Sequence, residues 1–381
     1  MIGIAVPKEV DPGEPRVGAT PDTVKKLIAL GATVTVAAGA GLASGITDAD
    51  YREAGATIAA SNAEALHGAA IVLKVRRPAA EELGAYPAGA LVLAIMDPYG
   101  QQEALEVVAR TGVAAFAMEL MPRITRAQVM DVLSSQANLA GYRAVIDASA
   151  EFGRAFPMMM TAAGTVPAAK VFVMGAGVAG LQAIATARRL GAIVTATDVR
   201  PAAKEQVASL GAKFVAVEDE EFRQAETAAG YAKPMSAEYQ AKQAALVAEH
   251  IKKQDVVITT ALIPGRPAPH LVSSAMVESL KPGSVLVDLA VERGGNVEGA
   301  KAGEVVTTAN GVKIIGHLNV PGRLAASASS LYARNLLAFV ETLVDRKEKV
   351  LAPNWDDELV KATLLTRDGA IVHPMFQLPV G

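Results

Sequence analysis

Short apolar runs alternate with amphipathic stretches along most of this chain. In the first third, apolar runs lie at 2–6, 33–37, 71–75, 91–95 and 113–117. Their length is that of buried strands. Between them, residues 21–30 and 102–110 carry apolar side chains at helical spacing, and Thr20 stands where an N-cap belongs. The alternation resumes further on, with predicted strands at 171–174, 193–197, 213–217, 255–259, 284–288 and 312–315. Strands that alternate with helices predict parallel sheet. A helical pattern over 139–152 joins the two halves, and a longer one runs from 321 to about 344. The tail, with Ala370-Ile371-Val372-His373-Pro374, is expected to pack back on the first half. Residues 218–250 are long, charged and centred on Gly230 and Tyr231. A loop of that length is usually a lid, a binding loop or disorder.

The most specific chemistry sits at the start of the second half. The run 171–174 leads into Gly175-Ala176-Gly177-Val178-Ala179-Gly180, then an apolar helical stretch, a second strand and Asp198, eighteen residues past the last glycine. A dinucleotide site needs each part. The first glycine allows a tight turn, the second lets backbone approach a pyrophosphate, and the third lets helix and strand pack closely. The helix N-terminus offers N–H groups and partial positive charge. An acid at the end of the second strand accepts hydrogen bonds from ribose hydroxyls and repels a 2′-phosphate, which favours NAD(H) over NADP(H). Arg200, two residues on, blurs that preference. The fold expected is α/β: two Rossmann-like, doubly wound parallel-sheet domains with a cleft between them. Residues 1–135 plus 321–381 form a discontinuous first domain, and 136–320 form the NAD(H)-binding domain.

Composition narrows the field further. The 381 residues are 51% hydrophobic and 20% charged, with net charge −3. No basic block marks a nucleic-acid partner. The absence of cysteine rules out thiol nucleophiles, disulfides and Cys-ligated metal. The five histidines, His67, His250, His270, His317 and His373, form no HExxH or Cys/His pairing, so no metal is expected. His317 and His373 sit beside Gly or Pro and are expected to fix turns. No apolar run approaches the roughly 20 residues of a membrane span, and the first residues do not resemble a signal peptide, so a soluble protein is expected. A second glycine cluster, Gly39-Ala40-Gly41 with Gly45, has the wrong third spacing and no apolar helix after it. The stretch 156–167 carries Met158, Met159 and Met160 and is either core or a hairpin offered to a partner subunit.

Longer motifs carry a family resemblance. Lys8-Glu9, Arg16-Val17 and Pro21, the glycine block, Val287-Asp288-Leu289-Ala290-Val291-Glu292-Arg293-Gly294 and Gly316-His317-Leu318-Asn319-Val320-Pro321 resemble the alanine dehydrogenase/transhydrogenase superfamily. The stretches 118–144 and 155–167 and Thr259-Thr260-Ala261-Leu262-Ile263-Pro264-Gly265 narrow this. They resemble the NAD(H)-binding alpha component, domain I, of proton-translocating nicotinamide nucleotide transhydrogenase. The resemblance covers essentially the whole chain. It implies an oxidoreductase that binds NADH and passes hydride directly to NADP⁺ on a partner subunit, with a separate membrane subunit coupling the exchange to proton translocation. It also implies a homodimer and a cytoplasmic location, peripheral to the inner membrane through those partners.

Site residues follow the matching motifs. Arg123, Gln128, Asp131 and Ser134 resemble the family's polar loop around the nicotinamide. Gln128, Asp131 and Ser134 recur every three residues, so a helix would align them on one face. On the adenosine side Val178, Asp198, Val199, Arg200 and Leu262 match the family's contacts, with Gly175, Gly177 and Gly180. Gly230 and Tyr231 match its mobile loop, and Gln243 a further contact. An alanine-dehydrogenase-like amino-acid oxidoreductase is the alternative. Arg16 and Lys74 sit at positions that match that enzyme's substrate site. Its proton-transfer histidine is expected near the end of strand 91–95, where this chain reads Ile95-Met96-Asp97, and its acid after 287–290 is here Glu292. Losing the proton-transfer group impairs amino-acid oxidation but costs nothing in direct hydride exchange.

Overall fold

The computed structural model describes residues 2–225 and 235–377. The chain divides into two compact units, Met1–Gln136 with Pro321–Gly381, and Ala137–Val320. Each is a twisted, mostly parallel sheet covered by helices on both faces. Among the described residues no helix is long and apolar enough to cross a membrane.

In the first unit the sheet runs, edge to edge, Ala370–Ile371, Leu364–Arg367, Ala114–Ala117, Leu91–Ile95, Ile71–Arg76, Ile2–Val6, Ala32–Ala37 and Thr57–Ala59. The six strands from the N-terminal stretch are parallel, and the two tail strands add antiparallel at one edge. Side-chain alternation assigns the faces. Ile4, Val6, Leu73 and Phe116 pack toward Tyr332, Leu336, Phe339 and Val340 of the helix Ala325–Leu343. Ala5, Val72 and Val92 face the helix Gln102–Arg110 through Leu105 and Val108. Strand order reverses beside Ile2–Val6, which makes that strand and Ile71–Arg76 the switch point of this sheet.

The second unit repeats the design in the order Lys213–Phe214, Ile193–Thr197, Lys170–Met174, Val256–Thr259, Val285–Asp288, Lys313–Ile315 and Val305–Thr307, the last antiparallel. Val171 and Val173 pack with Ile184 and Ala187 of the helix Val178–Arg189, while Phe172 and Met174 pack with Val247 and Ile251 behind the sheet. The order reverses between Lys170–Met174 and Val256–Thr259, so the carboxyl ends of these two strands frame a crevice of the kind that takes ligands.

Three elements depart from the pattern read in the sequence. The joining helix is Val132–Glu151, seven residues longer at its start than the apolar spacing shows. Asp131 supplies the reason: its carboxylate accepts the Ser134 N–H at 2.9 Å and the Ser134 hydroxyl, an N-cap that holds a polar first turn. Within 218–250, expected as one long loop, a short helix Glu220–Arg223 and the helix Ala237–Ile251 form. Ser236 caps the second, accepting the Tyr239 N–H at 3.1 Å, and Tyr239, Val247 and Ile251 bury a narrow apolar stripe. Its charges, such as the Glu238–Lys242 pair, line the wet face and disguise the stripe. Met159–Thr161 and Gly164–Val166 pair as an exposed hairpin, which excludes the core reading of that segment.

Candidate functional site

The three glycines of the second unit do three different jobs. Gly175 ends its strand at φ +105, a conformation that L side chains rarely adopt. Gly180 sits one helical turn into Val178–Arg189, where a Cβ would lie 1.8 Å from the Gly175 carbonyl oxygen, so only glycine lets the helix approach the turn. Gly177 is the opposite case. A Cβ there would meet nothing within 4 Å, and no side chain caps the helix at this position. The backbone is bare at the one point where a phosphate group needs it to be. Thr260 steadies the turn by donating to the Gly175 carbonyl at 3.1 Å.

Asp198 ends up against this turn. Its Oδ2 accepts the Ala176 N–H at 2.7 Å and Arg200 Nη2 at 3.1 Å, and its Oδ1 accepts the Arg200 N–H and Nε, each at 2.9 Å. Four N–H donors therefore share a carboxylate with about four lone-pair positions. Val199, Val178 and Leu262 follow three neighbouring strands and are all substantially exposed. Gln243 spends its amide internally, accepting the Val217 N–H at 2.9 Å and donating to Thr197 Oγ1 at 3.1 Å, next to Asp198. Gly230 and Tyr231 lie outside the described residues.

Two buried residues that escaped the sequence reading shape this edge. Asn296, fully buried, accepts the Ala261 N–H at 3.0 Å and donates to the carbonyls of Ala261 (2.9 Å) and Pro269 (2.8 Å). It thereby clamps the residue before Leu262. Asp288 accepts the N–H groups of Ala290, Asn296 and Val297, which folds the following loop back so that Asn296 reaches its partners. The decoy cluster around Gly39 is closed: the Gly39 N–H donates to Asp48 and the next turns satisfy one another.

In the first unit the polar segment is not one helix. Gln128 lies in a 3₁₀ turn, Thr125–Met130, Asp131 at the junction, and Ser134 in the first turn of Val132–Glu151. The single helical face expected for these three residues is thus not formed, because the Asp131 cap restarts the chain between them. Arg123 and Gln128 are exposed, while Asp131 and Ser134 are half-buried. Arg126, in the same segment, makes a bidentate pair with Asp357 at 2.7 and 2.9 Å.

Known proteins share this architecture and sequence. Residues 5–140 match the N-terminal domain model of alanine dehydrogenase/PNT, and residues 144–374 match its C-terminal domain model. The chain belongs to the alanine dehydrogenase/PNT family. It is 55% identical over 376 residues to an NAD(P) transhydrogenase subunit alpha of Rhodospirillum rubrum, covering 97% of this chain and 98% of that one. An alanine dehydrogenase of Halomonas elongata is 30% identical over 379 residues, covering 97% and 94%. Among solved structures, a transhydrogenase from Sinorhizobium meliloti superposes with a TM-score of 0.89 at 65% identity over 97% and 99% of the chains. An L-alanine dehydrogenase gives 0.82 at 26% identity over 98% of both. The transhydrogenase alpha relatives place the chain with that branch of an oxidoreductase family whose members bind NAD(H).

The residues that match the dehydrogenase branch form a buried ion network in this family member. Lys74 pairs with Glu9 at 2.9 Å and Glu82 at 3.2 Å, and Arg16 with Glu14 at 2.6 Å and with Gln136 at 2.8 Å. Burial pushes Glu9 up despite Lys74. Burial pushes Glu14 the same way, but the hydrogen bonds and charge of Arg16 and the charge of Arg76 outweigh it and hold that carboxyl below its ordinary value. At the end of Leu91–Ile95, Met96 and Asp97 donate their N–H groups to Glu119, a carboxyl raised by burial, and Asp97 takes φ +46. No histidine stands there. His373 does fix a turn, accepting the Met375 N–H at 3.3 Å.

Proposed function

We propose that this chain is the NAD(H)-binding component of an NAD(P) transhydrogenase. A partner subunit carries NADP⁺, and a separate membrane subunit couples the exchange to proton translocation. The observation that supports this most is the bare backbone at Gly177, walled by the close contact at Gly180 and flanked by Asp198. These residues suit a dinucleotide: N–H groups for a pyrophosphate, a carboxylate for a ribose, and exposed Val178, Val199 and Leu262 for an adenine. The coenzymes supply the chemistry, a hydride passing from a dihydronicotinamide ring to an oxidised one, and the protein supplies placement and exclusion of water.

In this reading Arg200 leaves Asp198 when a ribose arrives, because the carboxylate has no acceptor position to spare. Asp198 also disfavours a 2′-phosphate. Arg123 and Gln128 orient the nicotinamide with donors and acceptors in fixed positions, and Asp131 and Ser134 support them. The hairpin with exposed Met158, Met159 and Met160 serves a homodimer, adaptable thioether side chains suiting a subunit interface.

The test mixes the purified chain with an NADP⁺-carrying component and follows NADH-dependent reduction of an NADP⁺ analogue. Reduction that requires both proteins is expected. Tight NADH binding without exchange would reduce the chain to a binding subunit. The alanine dehydrogenase relatives favour a second reading, an amino-acid oxidoreductase. Met96 and Asp97 argue against it, and NAD⁺ reduction by L-alanine with no second protein would establish it.

A further inference from the structure

The helix Ala325–Leu343 buries Tyr332, Leu336, Phe339 and Val340 against the first sheet, yet Asn335 is buried on the same helix at 8% exposure. A buried amide is costly unless its groups are paired. Both ends of Asn335 are. Its Nδ2 donates to the Val129 carbonyl at 2.8 Å, and its Oδ1 accepts the Ser135 hydroxyl at 2.7 Å. Val129 adjoins Gln128 and Ser135 adjoins Ser134. One side chain, some two hundred residues away in sequence, thus fastens the polar segment on both sides of the Asp131 cap.

The fastening is itself anchored. Gln136 Nε2 donates to Ser135 Oγ at 3.3 Å and to the Ala328 carbonyl at 3.1 Å, while its Oε1 accepts Arg16 Nη1. A continuous chain of hydrogen bonds therefore runs from the Glu14–Arg16 pair through Gln136 and Ser135 to Asn335 and the Val129 peptide. Without the Asn335 amide, the Val129 carbonyl loses this partner, and the 3₁₀ turn is free to settle elsewhere.

We infer that Asn335 is a positioning residue for hydride transfer: it fixes the backbone that presents Gln128 and Ser134. The inference rests on the function proposed above. Ring placement is where such a residue acts, since displacement by about 1 Å costs roughly a hundredfold in rate. Uniform binding of the nucleotide, which the second unit's glycine turn provides, is left nearly intact.

The experiment compares the unaltered chain with Asn335→Ala, Asn335→Asp and Ser135→Ala, each mixed with the NADP⁺-carrying component. It reads single-turnover hydride transfer, NADH affinity by fluorescence titration, and amide hydrogen exchange over 128–135. Asn335→Ala and Asn335→Asp are expected to slow transfer about ten- to a hundredfold, with NADH affinity changed less than about threefold and faster exchange in that segment. Aspartate keeps the acceptor for Ser135 but turns a second acceptor toward the Val129 carbonyl, so it should not rescue. Ser135→Ala removes one bond and should fall between; it serves if the Asn335 variants do not fold. Full transfer rates beside a working unaltered protein would overturn the inference alone, as would rate and affinity falling in parallel. No transfer in the unaltered protein would overturn the proposed function, and the inference with it.

Discussion

A glycine is informative when its missing side chain has a definite address. At Gly180 that address is filled by the Gly175 carbonyl, 1.8 Å from the would-be Cβ, and at Gly177 it is empty. The two positions therefore make a matched pair of predictions. Gly180→Ala must push the helix off its turn and should destabilise the protein by about 1–3 kcal/mol, read as an earlier urea midpoint. Gly177→Ala should leave that midpoint nearly unchanged, yet weaken NADH binding about tenfold or more, a loss of about 1.4 kcal/mol. Equal effects of the two changes on folding, with no difference in binding, would deny that Gly177 faces a ligand. Arg123→Ala belongs to the other unit and is expected to slow hydride transfer more than it weakens NADH binding. An unchanged single-turnover rate would remove Arg123 from the reaction.

Elements in this chain were legible where burial was symmetrical and obscure where it was local. Strands such as Ile71–Arg76 and Val256–Thr259 are buried on both faces and show as plain apolar runs. The glycine block was legible for a different reason, since each of its residues answers a separate steric demand. The helix Ala237–Ile251 was not, because its buried stripe is three residues among charges. The start of Val132–Glu151 was hidden as well, its signal being Asp131 and Ser134, residues that also invite a functional reading. Those two readings give different numbers. As a cap alone, Asp131→Ala should cost about 1 kcal/mol of stability and leave hydride transfer unaffected; a rate loss beyond the stability effect would assign it the supporting role as well. Asn296 and Asn335 could not have been found from spacing. Their partners are backbone groups brought near by the fold, and a lone Asn carries no periodic signal. Asn296→Ala leaves a buried N–H and two carbonyls without this partner and should cost about 1–3 kcal/mol for a group so stranded, measurable by denaturant titration.

At the scale of the molecule, the first unit is assembled from both ends of the chain, and its buried charges sit where the ends meet. The Glu14–Arg16 pair reaches Gln136, and the Val17 N–H donates to Ser329 on the returning helix. Such a network makes stability depend on pH, and the buried carboxyls pull in opposite directions. Glu14 is held below its ordinary value, so the stability it contributes is present above that value and is lost as pH falls through its folded value. Glu9 and Glu119 are raised, chiefly by burial, so their contribution is present at acid pH and is lost as pH rises through their folded values. A bare pH profile of the whole protein would mix the two. Glu14→Gln separates them. At pH 7 it leaves the Arg16 guanidinium buried without its carboxylate partner and should destabilise by about 3–5 kcal/mol. As pH falls below the ordinary glutamate range, the carboxyl in the unaltered protein is protonated too, and the gap between the two proteins should close. Urea titrations of both proteins at steps from pH 7 to pH 3 measure that gap directly. A gap that persists undiminished at the acid end would mean that Glu14 acts through its shape and hydrogen bonds alone, and that the charge of the pair does not hold the two ends of the chain together.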